Sequence, residues 1–192
     1  EVMVDLSNTV HADPWFTHSH LATDSDMYQF AMLVLSTLDS DRDVYLEYSN
    51  EVWNYGFAQG TWIEEIAKLD PSIGEGSDLQ KRLSWYGKRS TEMCNIWKQA
   101  WGAESDRIIC TIATQAANPW VGEQMLDCPL WENAPCHAQI DADAIAPHCG
   151  QHIGHQANYA AVSAWLNEPD GGLNKLFQEL TFGGVLPASS VE

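Results

Sequence analysis

The chain has 192 residues, 45% of them hydrophobic and 19% charged, which fits a folded domain with a real core and excludes a disordered chain. With 27 acids against 9 bases the net charge is −18, so a nucleic-acid or anionic-membrane partner is excluded and a neutral polymer such as a polysaccharide is compatible. No apolar run approaches the roughly 18 residues of a membrane span; "FAMLVLSTL" is the longest candidate and is far too short.

In chain order, "EVMVDL" reads as a short strand and "NTVHADPWFTHSHLATDSD" as a long polar and aromatic loop. "DMYQFAMLVLSTL" has helical spacing, with Asp24, Ser25 or Asp26 as its N-cap. "VYLEYSN" is β-branched and aromatic and is expected to be a strand. "FAQGTWIEEIAKLD" is an amphipathic helix stopped by Pro71, and "LQKRLSWYGKRSTEMCNIWKQAWG" is a long helix ending at Gly102. "RIICTIAT" is the clearest buried strand, "QAANPW" a loop, "IDADAIAPH" a further strand, and "NYAAVSAWLN" and "LNKLFQELTFG" closing helices. Strands alternating with helices predict a single α/β domain over 1–192, built on a parallel sheet with right-handed crossovers.

In such folds ligands meet the loops after the carboxyl ends of the strands. His18 and His20, Asn50 and Glu51, Gln115 and Asn118, and His148 all fall at those ends. Trp15, Phe16, Trp53, Tyr55 and Phe57 add aromatic faces on which sugar rings can stack, whereas Trp85, Trp97 and Trp101 have core spacing on a helix. Glu47, on the strand before Glu51, reads as a buried, paired carboxylate, with a second pocket acid as the alternative. Of five cysteines (Cys94, Cys110, Cys128, Cys136 and Cys149), Cys128 and Cys136 bracket a loop that a disulfide can close, Cys94 and Cys110 read as core residues, and the odd count leaves at least one thiol free or paired outside the chain. His18 and His20, with His148, His152 and His155, invite a catalytic-zinc reading, though strand-end histidines serve equally as hydrogen-bonders to substrate. We assign no metal and no cofactor.

"EYSNEVWN" resembles the Asn-Glu pair at the end of the fourth strand of clan A glycoside hydrolases, which are TIM barrels. "PWFTHSHLATDSDMYQFA", "ATQAANPW" and "DADAIAPH" are similar to further segments of secreted bacterial and algal proteins related to that clan. The resemblance implies a TIM-barrel-like (β/α) fold of which this chain is the central part, strands three to six. It implies Glu51 as general acid/base, Asn50 as the binder of a sugar hydroxyl, and His20, Trp53, Gln115 and His148 as substrate contacts. It also implies an extracellular protein acting on a polysaccharide or oligosaccharide. The chain departs from the pattern at Ser19, where proline is usual, and at His148, where tyrosine is common. The clan's nucleophile segment does not occur before Glu192. A complete barrel takes about 250 residues and eight strands, so the chain is expected to be an excerpt, with open sheet edges that favour self-association. It opens on Glu and carries no leader pattern. The rivals are a non-catalytic carbohydrate-binding or structural protein and a histidine-based metal hydrolase. A second Asn-Glu, at Asn167 and Glu168, sits in a helix-to-turn context that does not suit catalysis.

Overall fold

The computed structural model describes residues 1–146 and 150–186. The chain divides into two compact units, Glu1–Ala146 and Pro147–Glu192. The first is a mixed α/β unit. Among the described residues, strands β1 (Trp15–His18), β2 (Val44–Tyr48), β3 (Ile108–Ala113) and β4 (Ala142–Ala144) form one sheet in that spatial order, and every neighbouring pair is parallel. Helices α2 (Asp24–Thr37), α3 (Ala58–Leu69), α4 (Asp78–Trp101) and α5 (Pro119–Asp127) fall between the strands, and α1 (Val2–Val10) precedes them.

Side-chain alternation divides the sheet. Phe16, His18, Leu46, Tyr48, Cys110 and Ile112 are all buried on one face. There Trp97 of α4 meets Phe16 and His18, Phe30 of α2 meets both as well, and Tyr86 of α4 meets Tyr48. The other face carries Trp15, Thr17, Tyr45 and Glu47, with Thr17 opposite Glu47 and Glu47 opposite Thr111 in the register. Long α4 is started by a capping box between Ser77 and Gln80 and ends at Gly102, whose φ of 55° a side chain would strain. It is the hub of the unit, packing against α2, α3, α5 and the sheet.

Two sequence expectations are corrected at the N-terminus. "EVMVDL" is not a strand: residues from Val2 onward form α1, with Val4 and Ser7, three apart, as its buried positions, and the chain turns at left-handed His11. The first strand lies instead in the segment expected to be loop, where Trp15 and Thr17 are exposed and Phe16 and His18 buried. Period-2 alternation was present there, but His and Thr masked it. The N-cap of α2 is Thr23, not Asp24, Ser25 or Asp26; Thr23 and Asp26 exchange the two capping-box hydrogen bonds. Cys94 and Cys110 are core residues and also disulfide partners, tying α4 to β3, and Cys128 and Cys136 form the second disulfide.

In the second unit, α6 (Tyr159–Trp165) and α7 (Leu173–Phe182) are joined by a turn. His152 Nε2 lies 2.8 Å from Glu179 Oε1, and Glu179 Oε2 accepts the backbone N–H groups of Val185 and Leu186. Glu168 pairs with Lys175, and Asn167 follows the end of α6, so this Asn-Glu lies in a turn between helices. Among the described residues no helix is long and apolar enough to cross a membrane.

Candidate functional site

The parallel sheet brings the carboxyl ends of β1, β2 and β3 side by side, and with them the segments after His18, Tyr48 and Ala113. β2 lies between β1 and β3 and delivers Asn50 and Glu51. The ladder runs on to Ser49, whose N–H donates to the carbonyl of His18 at 2.8 Å. The chain then leaves the sheet abruptly: Ser49 has φ 59° and Glu51 φ 44°. Both are left-handed positions that ordinary side chains enter only at a cost, and such outliers concentrate at functional sites.

Glu51 is half-buried. Its Oε2 accepts from Asn54 Nδ2 at 3.0 Å, and its carbonyl accepts from Asn54 N at 2.9 Å, closing a turn. It does not cap α3, whose N-cap is Phe57 with no side-chain bond. The Asn50 side chain is exposed and makes no hydrogen bond among the described residues, while its carbonyl accepts from Gln59 Nε2 at 2.8 Å. The amide is thus open to solvent and the backbone behind it is tied to α3.

The remaining sequence candidates separate. His20 is half-buried, edge-on to Trp62 at 5.3 Å, and its carbonyl accepts from the Tyr48 hydroxyl at 2.7 Å. His18 turns the other way, into the aromatic core, where Trp97 Nε1 donates to its Nε2 at 2.9 Å. Burial, then the nearby Arg89 charge, lowers its pKa to about 4 against a partial offset from Asp26, so the ring is neutral. His18 and His20 therefore do not converge, and among the described residues no group of three or more His, Cys, Asp or Glu side chains is arranged to hold a metal ion. Gln115 is half-buried and lines a cleft of about 400 Å³ after β3 and β4, with Thr114, Glu123, His137 and Asp143. There Thr114 Oγ1 donates to Asp143 Oδ1 at 2.8 Å. A second cleft, of about 420 Å³, opens after β1 beside His18, Ser19 and Asp26. Trp53 is half-buried against the hydrophobic core. His148 lies outside the described residues. Glu47 is buried on the sheet face and accepts from Trp15 Nε1 at 2.8 Å and from Thr17 Oγ1 at 3.4 Å; burial raises its pKa, against those hydrogen bonds.

Sequence reasoning missed Arg82. This side chain is 0% exposed and reaches under the Glu51 loop, where Nη2 donates to the Trp53 carbonyl at 3.3 Å. A signal existed: with Leu79, Leu83 and Tyr86 it falls at i, i+3, i+4 and i+7, so it is a base on the apolar stripe of α4. Gly60 of α3 completes the contact, since a Cβ there would lie 2.9 Å from the Asn54 carbonyl, 3.0 Å from that of Val52 and 3.2 Å from Arg82 Nη1. No family model, no curated protein and no solved structure matches this chain.

Proposed function

We propose that the chain is a glycoside-hydrolase-type domain, part of a (β/α) barrel, that acts on a neutral polysaccharide outside the cell. Glu51 is its general acid/base and Asn50 binds a sugar hydroxyl beside the scissile bond. The observation that carries this reading is Glu51 itself: a half-buried carboxyl at the carboxyl end of a central parallel strand, in left-handed backbone, with no cap to make. The parallel order of the sheet, with α2 and α4 on one face, supports a barrel segment. Two disulfides support an oxidising, extracellular setting.

Glycosidic cleavage needs proton donation to the leaving oxygen and a second carboxylate. Glu51 would supply the first; the second, the nucleophile, is not identified in this sequence. Its Asn54 partner fixes Oε2, leaving Oε1 to face the glycosidic oxygen. His20 and Gln115, on the loops either side, would contact neighbouring hydroxyls, and Trp53 would back the subsite from the core side. The test is turnover of aryl glycosides and neutral polysaccharides by Glu51→Gln, read as released reducing ends. A fall of about 10²-fold or more is expected, and unchanged turnover refutes the assignment.

The second reading is a carbohydrate-binding protein without catalysis. The free, exposed Asn50 amide favours it, because that group binds a hydroxyl whether or not a bond is cut. It predicts that both wild type and Glu51→Gln bind neutral polysaccharide and that neither releases reducing ends.

A further inference from the structure

Tyr55 sits four residues beyond Glu51 and is 67% exposed, yet it is not a loose surface ring. The Arg82 guanidinium carbon lies 4.0 Å from its ring centroid, so one face of the ring rests on a buried cation. That cation is poorly served. Among the described residues, Nη2 has the Trp53 carbonyl at 3.3 Å, Nη1 has Glu64 Oε2 at 3.9 Å, and Nε and Nη1 have no hydrogen-bond partner. An apolar residue of similar volume would cost the core less. A fully buried guanidinium under an exposed aromatic is therefore poor economy for stability alone, and its contacts identify what it holds: the carbonyl of Trp53 and the ring of Tyr55, both in the loop that carries Glu51.

Tyrosine offers a flat apolar body and a polar tip. Here one face is covered and the ring is ordered before any ligand arrives, so little further ordering is needed on binding. The remaining face is open to solvent, and its dimensions suit the apolar face of a pyranose. Of the other two aromatics of the loop, Trp53 is turned toward the core, and Phe57, at the N-cap of α3, is 40% exposed; both present less surface than Tyr55. The net charge of −18 favours a neutral ring over a uronate. We propose that Tyr55, seated on Arg82, is a stacking subsite for a neutral sugar ring, adjoining the position where Glu51 acts; its adjacency to a reacting bond rests on the reading of Glu51 above, its binding does not. Tyr55 is the binding residue and Arg82 its positioning residue.

The probes are cellohexaose, xylohexaose and laminarihexaose, with hexagalacturonate as the anionic comparison, titrated into the full chain while the Tyr55 ring resonances are followed by NMR. At least one neutral hexasaccharide is expected to shift those resonances in both wild type and Glu51→Gln. Tyr55→Ala is expected to weaken binding about tenfold, the scale of one aromatic contact, and Tyr55→Phe to retain most of it. Arg82→Lys, which keeps the charge but not the planar support, is expected to weaken binding in wild type and to add nothing in Tyr55→Ala. No shift with any neutral probe, unaltered affinity in Tyr55→Ala, additive losses in the Arg82→Lys and Tyr55→Ala double variant, or tighter binding of hexagalacturonate than of all three neutral probes overturns the proposal. The two readings fail separately. Lost binding in Tyr55→Ala with full turnover in Glu51→Gln keeps the subsite and removes the acid/base. Lost turnover in Glu51→Gln with unchanged affinity in Tyr55→Ala does the reverse.

Discussion

The left-handed backbone at Glu51 makes a prediction whose sign runs against ordinary expectation. Glu51→Ala and Glu51→Gly both delete the carboxyl and its hydrogen bond from Asn54, so that loss cancels when the two are compared. In an ordinary extended or helical position Gly is the less stable choice by about 0.5–1 kcal/mol, because it has more conformational freedom to lose. At φ 44° the balance changes. A side chain in the left-handed region costs about 1–2 kcal/mol, which Ala retains and Gly escapes. Subtracting the glycine entropy leaves Glu51→Gly more stable than Glu51→Ala by about 0.5–1 kcal/mol. For a domain of this size that corresponds to about 1–4 °C in melting temperature. Thermal denaturation of the two variants side by side, with urea unfolding as a second measure, reads the difference directly. Ala equal to or more stable than Gly would mean that Glu51 is not held in left-handed backbone, and the structural support for its special role would be lost. Under the acid/base reading both variants also lose turnover, so stability and activity separate.

Three further outcomes follow from the packing and the electrostatics. A Cβ on Gly87 of α4 would lie 2.1 Å from the Met125 carbonyl and 2.3 Å from Cys128 Sγ. Gly87→Ala gains about 1 kcal/mol of helix propensity but meets an overpacking cost at the upper end of about 1–3 kcal/mol. A net loss of about 2 kcal/mol is expected, or a melting temperature about 4–8 °C lower; an unchanged value refutes the close approach of α4 to α5. The pKa of His18 falls from 6.5 to about 4 on folding, so between those values the unfolded chain binds the extra proton. Its contribution to stability is complete above pH 6.5 and is lost as pH falls toward 4. His18→Gln, which keeps an acceptor for Trp97, should flatten the stability curve in that window, as checked by urea unfolding from pH 4 to 7.5. The Cys94–Cys110 link closes a loop of 16 residues, and replacing both cysteines by alanine should cost about 3 kcal/mol in urea unfolding, with loss of less than about 1 kcal/mol refuting the constraint.

Much of the fold could be read residue by residue. The β-branched, aromatic run ending at Tyr48 and the run "IICTIA" are strands as expected, and both helices between them begin and end within a residue or so of the sequence signals. These signals are local: side-chain period, a terminating Gly102 and Pro71 just beyond α3. The N-terminus failed because two valines at alternating positions favour a strand only if a sheet edge is available to pair with, and β1 is used instead. The strand at Trp15–His18 could be recognised only once Trp97 and Phe30 were present to bury His18 and Phe16.

Acids dominate this chain, strands and helices alternate along it, and an amide and a carboxyl stand where a strand ends; all three are legible without a fold. Those properties reside in composition and short-range spacing. The tertiary structure alone decided that Cys94 meets Cys110, that His18 turns away from His20, that Glu51 occupies a left-handed backbone, and that Arg82, 27 residues from Tyr55 in sequence, lies beneath its ring. The cysteine pair, the turn of His18 and the seat of Arg82 depend on where α4 settles against the sheet, and that position is fixed by the summed packing of many side chains.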